Sequence, residues 1–177
     1  MFADVLLGLV CVLLLALVVT AAMNLYLGVP SVPTPMPVVR EIVKLAELKA
    51  GDHVVDLGAG DGRLLIEAKR SCSGISARGC ELIPMVWLMG KMRILFSGLR
   101  LQLSLKNAMK EDLRDADVIF LYLFPKLMKD LLPKFDRELR PKTRIISYMF
   151  RLPGRAPVTT KVVKGFWGEA KVFIYEC

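Results

Sequence analysis

A short glycine-rich stretch with two aspartates is the part of the sequence best suited to hold a small ligand. Residues 54–63 read VVDLGAGDGR, and three glycines alternate with other residues there: Gly58, Gly60 and Gly62. Glycine permits positive φ and lets the backbone approach a ligand closely. Asp56 and Asp61 would repel a pyrophosphate at the expected start of a helix, so they favour a ligand that carries a positive amine.

The residue types in this loop exclude two common nucleotide motifs. The dinucleotide fingerprint G-x-G-x-x-G would need its third glycine at position 63, where Arg63 stands. A P-loop would need Gly-Lys-Ser/Thr, which is absent. S-adenosylmethionine, with its α-amino group and sulfonium, suits the two acids. An ordinary strand-to-helix turn without a ligand is the alternative.

A third carboxylate follows at the end of the next predicted strand. Glu81, in the segment GCELIP, lies 25 residues after Asp56. A carboxylate in that place can accept hydrogen bonds from the ribose hydroxyls of an adenosine. A solvated glutamate is the alternative for Glu81 alone, but the loop and Glu81 together predict that S-adenosylmethionine is the cofactor.

These motifs resemble those of the seven-β-strand S-adenosylmethionine-dependent methyltransferases. The loop is similar to the first motif of that family, and Glu81 matches its ribose-binding acid. The resemblance implies that the whole loop binds cofactor, including Ala59. In LKNAMKEDL, Asn107 stands where the family usually has the aspartate that holds the adenine amine. The amide can still accept from the amine and donate to a ring nitrogen.

Other segments resemble a narrower group of protein lysine methyltransferases. They are VPSVPTP at residues 29–35, LYLFP at 121–125 and ELRPKTRIISYMFRLPG at 138–154. The group includes archaeal broad-specificity enzymes and membrane-anchored mitochondrial enzymes that modify the ATP synthase c-subunit. The resemblance implies methyl transfer to a lysine amine. The Asn/Asp-Pro-Pro-Phe/Tyr motif of many amino methyltransferases is absent.

The lysine chemistry suggests two catalytic candidates. A lysine amine has a reference pKa of ~10.4 and must lose its proton before it can attack, which an apolar slot favours. Tyr122 could position the amine through its hydroxyl, with Phe124 and Phe150 as walls of the slot. Thr34 could close over the methionine end of the cofactor. Core packing for the aromatic residues, and simple stiffness of the proline-rich segment for Thr34, are the alternatives.

The elements that must position these residues alternate between strand and helix. Strands are predicted at residues 53–57, 76–81, 101–105, 117–124, 143–150, 160–163 and 171–175, and helices at 36–48, 62–71, 84–96 and 126–139. This order predicts an α/β fold, a Rossmann-like, mostly parallel sheet with a C-terminal antiparallel hairpin. The short link RLPGRAP leaves no room for a last crossover helix, so we expect an acceptor site open at the rim.

The N-terminal region differs in composition from the rest. Val5 to Met23 are 19 uncharged residues, which as a helix would span about 28 Å, close to the thickness of a bilayer core. We predict three regions: a transmembrane anchor at 1–27, a proline-rich strap at 28–37 and a methyltransferase domain at 38–177. A cleaved signal peptide and a buried core helix are the alternatives to an anchor.

The charge distribution bears on location and partners. All 25 lysines and arginines and 16 of the 17 acids lie from Arg40 onward, which gives this part a charge of 25 − 16 = +9. Positive flanks stay on the cytoplasmic side, so we predict a single-pass protein with its domain on the cytoplasmic or mitochondrial matrix side. No Lys/Arg run exceeds two residues and no RNA-binding motif is present, so nucleic acid is not an expected partner.

Together these features predict a membrane-anchored protein-lysine N-methyltransferase that acts on a membrane-associated protein. No metal is expected, because a single histidine and four widely spaced cysteines form no ligand set. The alternatives are a methyltransferase for a lipid or small amphiphile, a ligand-binding module without catalysis, and a nucleic-acid methyltransferase.

Overall fold

The structure is a computed structural model that describes residues 2–27, 32–165 and 168–177. Its elements in chain order are α1 (Phe2–Leu27), α2 (Met36–Leu45), β1 (His53–Leu57), α3 (Arg63–Ser71), β2 (Ser76–Glu81), α4 (Pro84–Ser97), β3 (Gln102–Leu105), a 3₁₀ turn (Ala108–Lys110), β4 (Val118–Leu121), α5 (Pro125–Glu138), β5 (Arg144–Tyr148), β6 (Thr159–Gly165) and β7 (Gly168–Glu176).

The strands form one seven-stranded sheet in the order β3-β2-β1-β4-β5-β7-β6. β1 to β5 are parallel, whereas β7 runs antiparallel to β5 and pairs with β6 as a hairpin. This confirms the predicted α/β sheet and its C-terminal hairpin. It also places β3 at one edge, as its alternating pattern indicates.

The core has two layers because the central strands are apolar on both faces. On one face, α2, α3 and α4 pack against residues such as Val54, Val118 and Ile146. On the other face, α5 packs against Leu57, Ile119 and their neighbours. A parallel strand buried on both sides reads as a nearly continuous apolar run, and β4 has four buried residues in a row.

Two strands and one helix end earlier than predicted. β4 ends at Leu121 rather than residue 124, and Pro125, which has no backbone N–H to donate, opens α5 soon afterwards. β5 ends at Tyr148, because Met149 takes a left-handed φ of 65°. α2 ends at Leu45 rather than residue 48, just before Glu47, which also has positive φ.

The N-terminal prediction needs a correction. Within the described parts of the chain, no helix is both long enough and apolar enough to span a membrane. The predicted single-pass location, with the domain on the cytoplasmic or matrix side, is therefore wrong, and the predicted transmembrane anchor at residues 1–27 finds no support. Residues 2–27 form α1, which contacts α4.

The segment before the domain is only partly described. Residues 28–31 of the predicted strap lie outside the described residues, and residues 32–35 are non-helical. α2 begins at Met36, inside the predicted strap, with Pro37 in its first turn, where a missing N–H does no harm. At the other end of the domain, residues 149–158 connect β5 to β6 without a helix, as predicted.

Candidate active site

The candidate site lies where the strand order reverses, between β1 and β4. In open α/β sheets, ligands bind beyond the carboxyl ends of the strands at this switch point. Leu57 at the end of β1 is in register with Cys80 on β2 and Leu121 on β4. Glu81, the last residue of β2, therefore lies beside the glycine loop and Tyr122, which follow the ends of β1 and β4.

The glycine loop turns sharply between β1 and α3. Gly58, Gly60 and Gly62 have φ values of 77°, 56° and 73°, a backbone region that residues other than glycine rarely adopt. The N–H groups of Gly58 and Ala59 donate to the Cys80 carbonyl at 3.0 and 2.9 Å, which ties the loop to β2. A methyl group added at Gly60 would contact nothing within 4 Å, so open space lies beside the loop there.

Asp56 is a buried carboxyl without a partner. Its residue is 5% exposed, and its side chain has no hydrogen bond or ion pair within the described residues. Burial, with the nearby charges of Glu81 and Asp61, raises the pKa of Asp56 to about 8. A buried polar group normally has a partner, so this carboxyl is suited to a cationic ligand.

Glu81 is held firmly, with one acceptor position left. Oε2 accepts from the Gly60 N–H at 2.9 Å, and Oε1 accepts from the N–H groups of Leu82 and Ile83, each at 2.9 Å. A carboxylate has about four acceptor positions, so roughly one remains for a ribose hydroxyl. The same bonds fix Glu81 beside the loop, where the sequence predicts it.

Asp61 is already paired with two arginines. Arg63 donates to both of its oxygens, from Nε at 2.8 Å and Nη2 at 2.6 Å, and Nη2 of Arg93 lies 3.1 Å from Oδ2. Although burial alone would raise the pKa of Asp61, the hydrogen bond from Arg63 and the charges of both arginines lower it. Its charge is thus balanced before any ligand binds, whereas Asp56 has no such partner among the described residues.

Asn107 lies at the other side of the site, after β3. Its Oδ1 accepts from the Met109 N–H at 2.9 Å and caps the 3₁₀ turn. This bond fixes the side chain and leaves the amide nitrogen to donate. The role of Asn107 at the adenine, like the other assigned roles, stays a prediction.

The aromatic residues predicted for the acceptor slot do form a cluster. The Tyr122 ring lies 4.9 Å from that of Tyr148 in an edge arrangement and 6.4 Å from that of Phe150 in a stacked one. Phe124 lies 5.5 Å from Phe150. Tyr148 is buried and belongs to the core, whereas the other three rings are partly exposed.

The Tyr122 hydroxyl has one partner, a methionine sulfur. It donates to Sδ of Met149 at 3.3 Å. Burial raises the pKa of Tyr122, so the phenol stays neutral and keeps its oxygen lone pairs free to accept a hydrogen bond. The left-handed backbone of Met149 sits beside this hydroxyl, and strained residues are frequent at functional sites.

Thr34 is close to the loop through an arginine. It is 9% exposed, and its hydroxyl has no partner within the described residues. Its carbonyl accepts from Nη1 of Arg63 at 2.6 Å. The strap therefore lies beside the start of α3, the helix that follows the glycine loop. The predicted covering role of Thr34 requires such a position.

The sequence did not predict the contacts that Arg63 and Gly90 make around the glycine loop. In the sequence analysis, Arg63 only excludes the dinucleotide-binding motif. Nothing in its spacing indicates a contact with Thr34. Gly90 lies inside α4, where a methyl group would come 3.0 Å from the Gly60 carbonyl oxygen and 2.6 Å from Leu103. A glycine within a helical pattern is the one signal that could have indicated such close packing.

The site fits S-adenosylmethionine. Asp56 offers an unpaired acid for the α-amino group, Gly60 leaves room beside the loop, and Glu81 retains an acceptor position for a sugar hydroxyl. Matches to known proteins support the same conclusion. A family model described as the ANTKMT methyltransferase domain matches residues 56–159.

The chain belongs to this family. A protein-lysine N-methyltransferase from Saccharolobus islandicus is 34% identical over 131 residues, which cover 73% of this chain and 81% of that enzyme. The human lysine N-methyltransferase of the ATP synthase c-subunit is 28% identical over 149 residues, 81% of this chain. This chain spans only 63% of the human enzyme's length. The predicted resemblance to lysine methyltransferases is thereby confirmed.

A solved structure supports the cofactor for this ANTKMT-type domain. An RNA methyltransferase from Salinibacter ruber, crystallised with S-adenosyl-L-homocysteine, superposes with a TM-score of 0.76 at 30% identity, covering 82% of this chain and 93% of that one. The chain is an S-adenosylmethionine-dependent methyltransferase, and the predicted cofactor is confirmed.

Proposed function

We propose that this methyltransferase modifies lysine side chains of a protein partner. The observation that carries the proposal is the 34% identity to the Saccharolobus enzyme over most of both chains. The aromatic cluster at the ends of β4 and β5 supports it, because such a slot accommodates an amine better than a charged or strongly polar acceptor.

In this proposal, different residues around the glycine loop bind different parts of the cofactor. We assign the α-amino group to Asp56, the ribose to Glu81 and the adenine to Asn107, with the loop backbone from Gly58 to Gly62 beneath. Bound S-adenosylmethionine supplies an electrophilic methyl group on a sulfonium. Thr34 covers the methionine end, where its unpaired hydroxyl gains a partner.

Tyr122 positions the substrate amine. Its O–H donates to Met149, so an oxygen lone pair accepts from the lysine N–H and aims the nitrogen lone pair away from the phenol. The surrounding rings desolvate the amine and lower its pKa, which favours the neutral form that can attack. The proton leaves to water at the open rim, since Tyr122 itself stays neutral.

The partner is large in this proposal and, as the resemblance implies, membrane-associated. The chain has no helix between β5 and β6 that would wall the acceptor side. An open rim suits a lysine presented by a protein surface better than an enclosed small molecule. The human relative is named for the ATP synthase c-subunit, which makes that protein a candidate to test.

Methylation of RNA is a second candidate. The similarity to the Salinibacter RNA methyltransferase favours it, since 30% identity extends over nearly all of that protein. The basic character of the chain, with a formal charge of +8, is compatible with it.

A single labelling experiment separates these activities. The full chain and S-adenosylmethionine with a radioactive methyl group are incubated with membrane and soluble fractions, which are then divided into protein, lipid and RNA. Label recovered as methyllysine in protein supports the proposal, and its enrichment in the membrane fraction supports a membrane-associated partner. Label only in RNA or only in lipid would refute it. Asp56→Ala serves as the control without cofactor binding.

A further inference from the structure

We infer that Arg63 is a positioning residue that couples the strap to the glycine loop and thereby holds Thr34 over the cofactor. The inference rests on the proposed role of Thr34, and goes beyond it by naming what fixes the strap. Arg63 acts through its neighbours, because each of its guanidinium nitrogens already binds Asp61 or the Thr34 carbonyl.

All three guanidinium nitrogens of Arg63 have a partner. Nε and Nη2 bind the two oxygens of Asp61 side by side, and Nη1 donates to the Thr34 carbonyl. This two-pronged geometry is specific to arginine, because lysine offers only a point charge. The side chains of Arg63 and Asp61 are 19% and 12% exposed, so solvent screens their contact only partly.

The strap has few other ways to be held. Pro33 and Pro35 have no N–H to donate. Within the described residues, the bond from Arg63 is the only hydrogen bond to residues 32–34. Among the hydrogen bonds of the described residues, only this one, from a side chain 29 residues later, holds the Thr34 backbone.

The other end of the link is anchored in the domain. Asp61 is also held by Arg93 of α4, and Gly90 brings the same helix against the loop backbone. Asp61 and Arg63 thus link the loop to α4 and to the strap. Because the two arginines balance this acid, Asp56 remains the carboxyl available to the cationic cofactor.

The test measures binding of S-adenosyl-L-homocysteine to the full chain by calorimetry, so it does not depend on the methyl acceptor. We expect Arg63→Gln to weaken binding about tenfold or more. Arg63→Lys should have a smaller effect, because lysine keeps the charge but cannot make the paired hydrogen bonds to Asp61. Arg70→Gln, an exposed arginine on the same helix, is the matched control and should change binding less than about twofold.

A double-mutant cycle distinguishes positioning from general destabilisation. If Arg63 acts by placing Thr34, then Thr34→Ala weakens binding severalfold in the native chain but hardly at all in the Arg63→Gln background. Effects that simply multiply, or an Arg63→Gln variant that binds as well as Arg70→Gln, would overturn the inference. If Arg63→Gln does not fold, as judged by thermal unfolding, the cycle is run in the Arg63→Lys background with the same criterion.

Discussion

At the scale of single residues, Asp56 makes the site sensitive to pH. In the free protein burial and two neighbouring acids raise its pKa to about 8, so Asp56 is mostly protonated at neutral pH. An ammonium group placed beside it favours the carboxylate and lowers that pKa. Cofactor binding should therefore release a proton from Asp56.

The first prediction follows from this release. Affinity for S-adenosyl-L-homocysteine should rise by up to about tenfold per pH unit as the pH increases from about 6 towards 8, because the bound state holds fewer protons than the free state. Asp56→Asn should bind weakly and lose this slope. Calorimetry in buffers of different ionisation enthalpy measures the proton directly.

An exposed acid provides the control for that experiment. Asp112→Asn alters a carboxyl that ion-pairs with Arg114 far along the chain from the loop, and it should keep the native pH dependence. An Asp56→Asn variant with an unchanged slope would show that another group releases the proton, and would remove Asp56 from the amine site.

The second prediction concerns Tyr122. Tyr122→Phe removes the hydroxyl that accepts the lysine N–H, so kcat/KM for a protein substrate should fall roughly tenfold, in line with the loss of one hydrogen bond in the transition state. Binding of S-adenosyl-L-homocysteine should not change. Tyr148→Phe, a neighbouring buried phenol, should retain most activity; equal losses in both variants would point to packing rather than positioning.

How far the sequence predicts individual residues depends on how local their partners are. The loop glycines and Asp56 lie together in ten residues, and the loop closes on itself with φ values that only glycine readily adopts. The bond from Arg63 to Thr34 joins residues 29 positions apart, and the pairing of Asp61 with Arg93 depends on how α4 lies. No spacing rule encodes either contact.

At the scale of elements, α4 braces the cofactor loop through Gly90. A methyl group at this position would lie 3.0 Å from the Gly60 carbonyl oxygen and 3.2 Å from the Asp61 carbonyl carbon. These are backbone atoms that cannot rotate away, so the helix must shift. Such a shift would also disturb the contact between Arg93 and Asp61.

The third prediction is the effect of Gly90→Ala. Alanine is better than glycine in a helix by about 1 kcal/mol, but overpacking against backbone costs typically 1–3 kcal/mol, so we expect a net loss of stability. Cofactor binding should weaken as well. Thermal unfolding and calorimetry measure the two effects, and Lys91→Ala, exposed on the same helix, is the control. A more stable Gly90→Ala variant would show that α4 is not tightly packed on the loop.

Element boundaries were predictable where signals are local. β1 and β2 match their predicted limits, because turn residues or the loop bound each of these short strands. β4 and β5 were predicted too long, since the apolar and aromatic run continues past the last paired residue to supply the slot. Functional aromatic residues and core residues look alike in such a run, and only the pairing of the strands separates them.

At the scale of the whole molecule, the positive charge is unevenly placed. Residues 151–177, which hold the whole hairpin, contain five of the lysines and arginines but only two acids, Glu169 and Glu176. This part includes the β6–β7 hairpin, which adjoins the slot through the bond from the Met149 N–H to the Lys171 carbonyl at 2.8 Å. Lys164 and Lys171 are exposed on the same face of the hairpin, as the strand register shows. Because Tyr148 is in register with Val172, these lysines lie at the same end of the sheet as the slot.

The fourth prediction is that the hairpin recruits an acidic surface of the protein partner. The double variant Lys164→Glu, Lys171→Glu should raise the KM for the protein substrate about tenfold or more and leave the KM for S-adenosylmethionine unchanged, because like charges now meet across the contact. In the native enzyme the KM for the protein should rise with salt, since screening weakens attraction between exposed charges.

Lys91→Glu with Arg100→Glu makes the same change in net charge on α4 and before β3, away from the hairpin, and should behave like the native enzyme. If both double variants lose activity equally, net charge rather than the hairpin governs recruitment, and the partner does not dock beside β6 and β7.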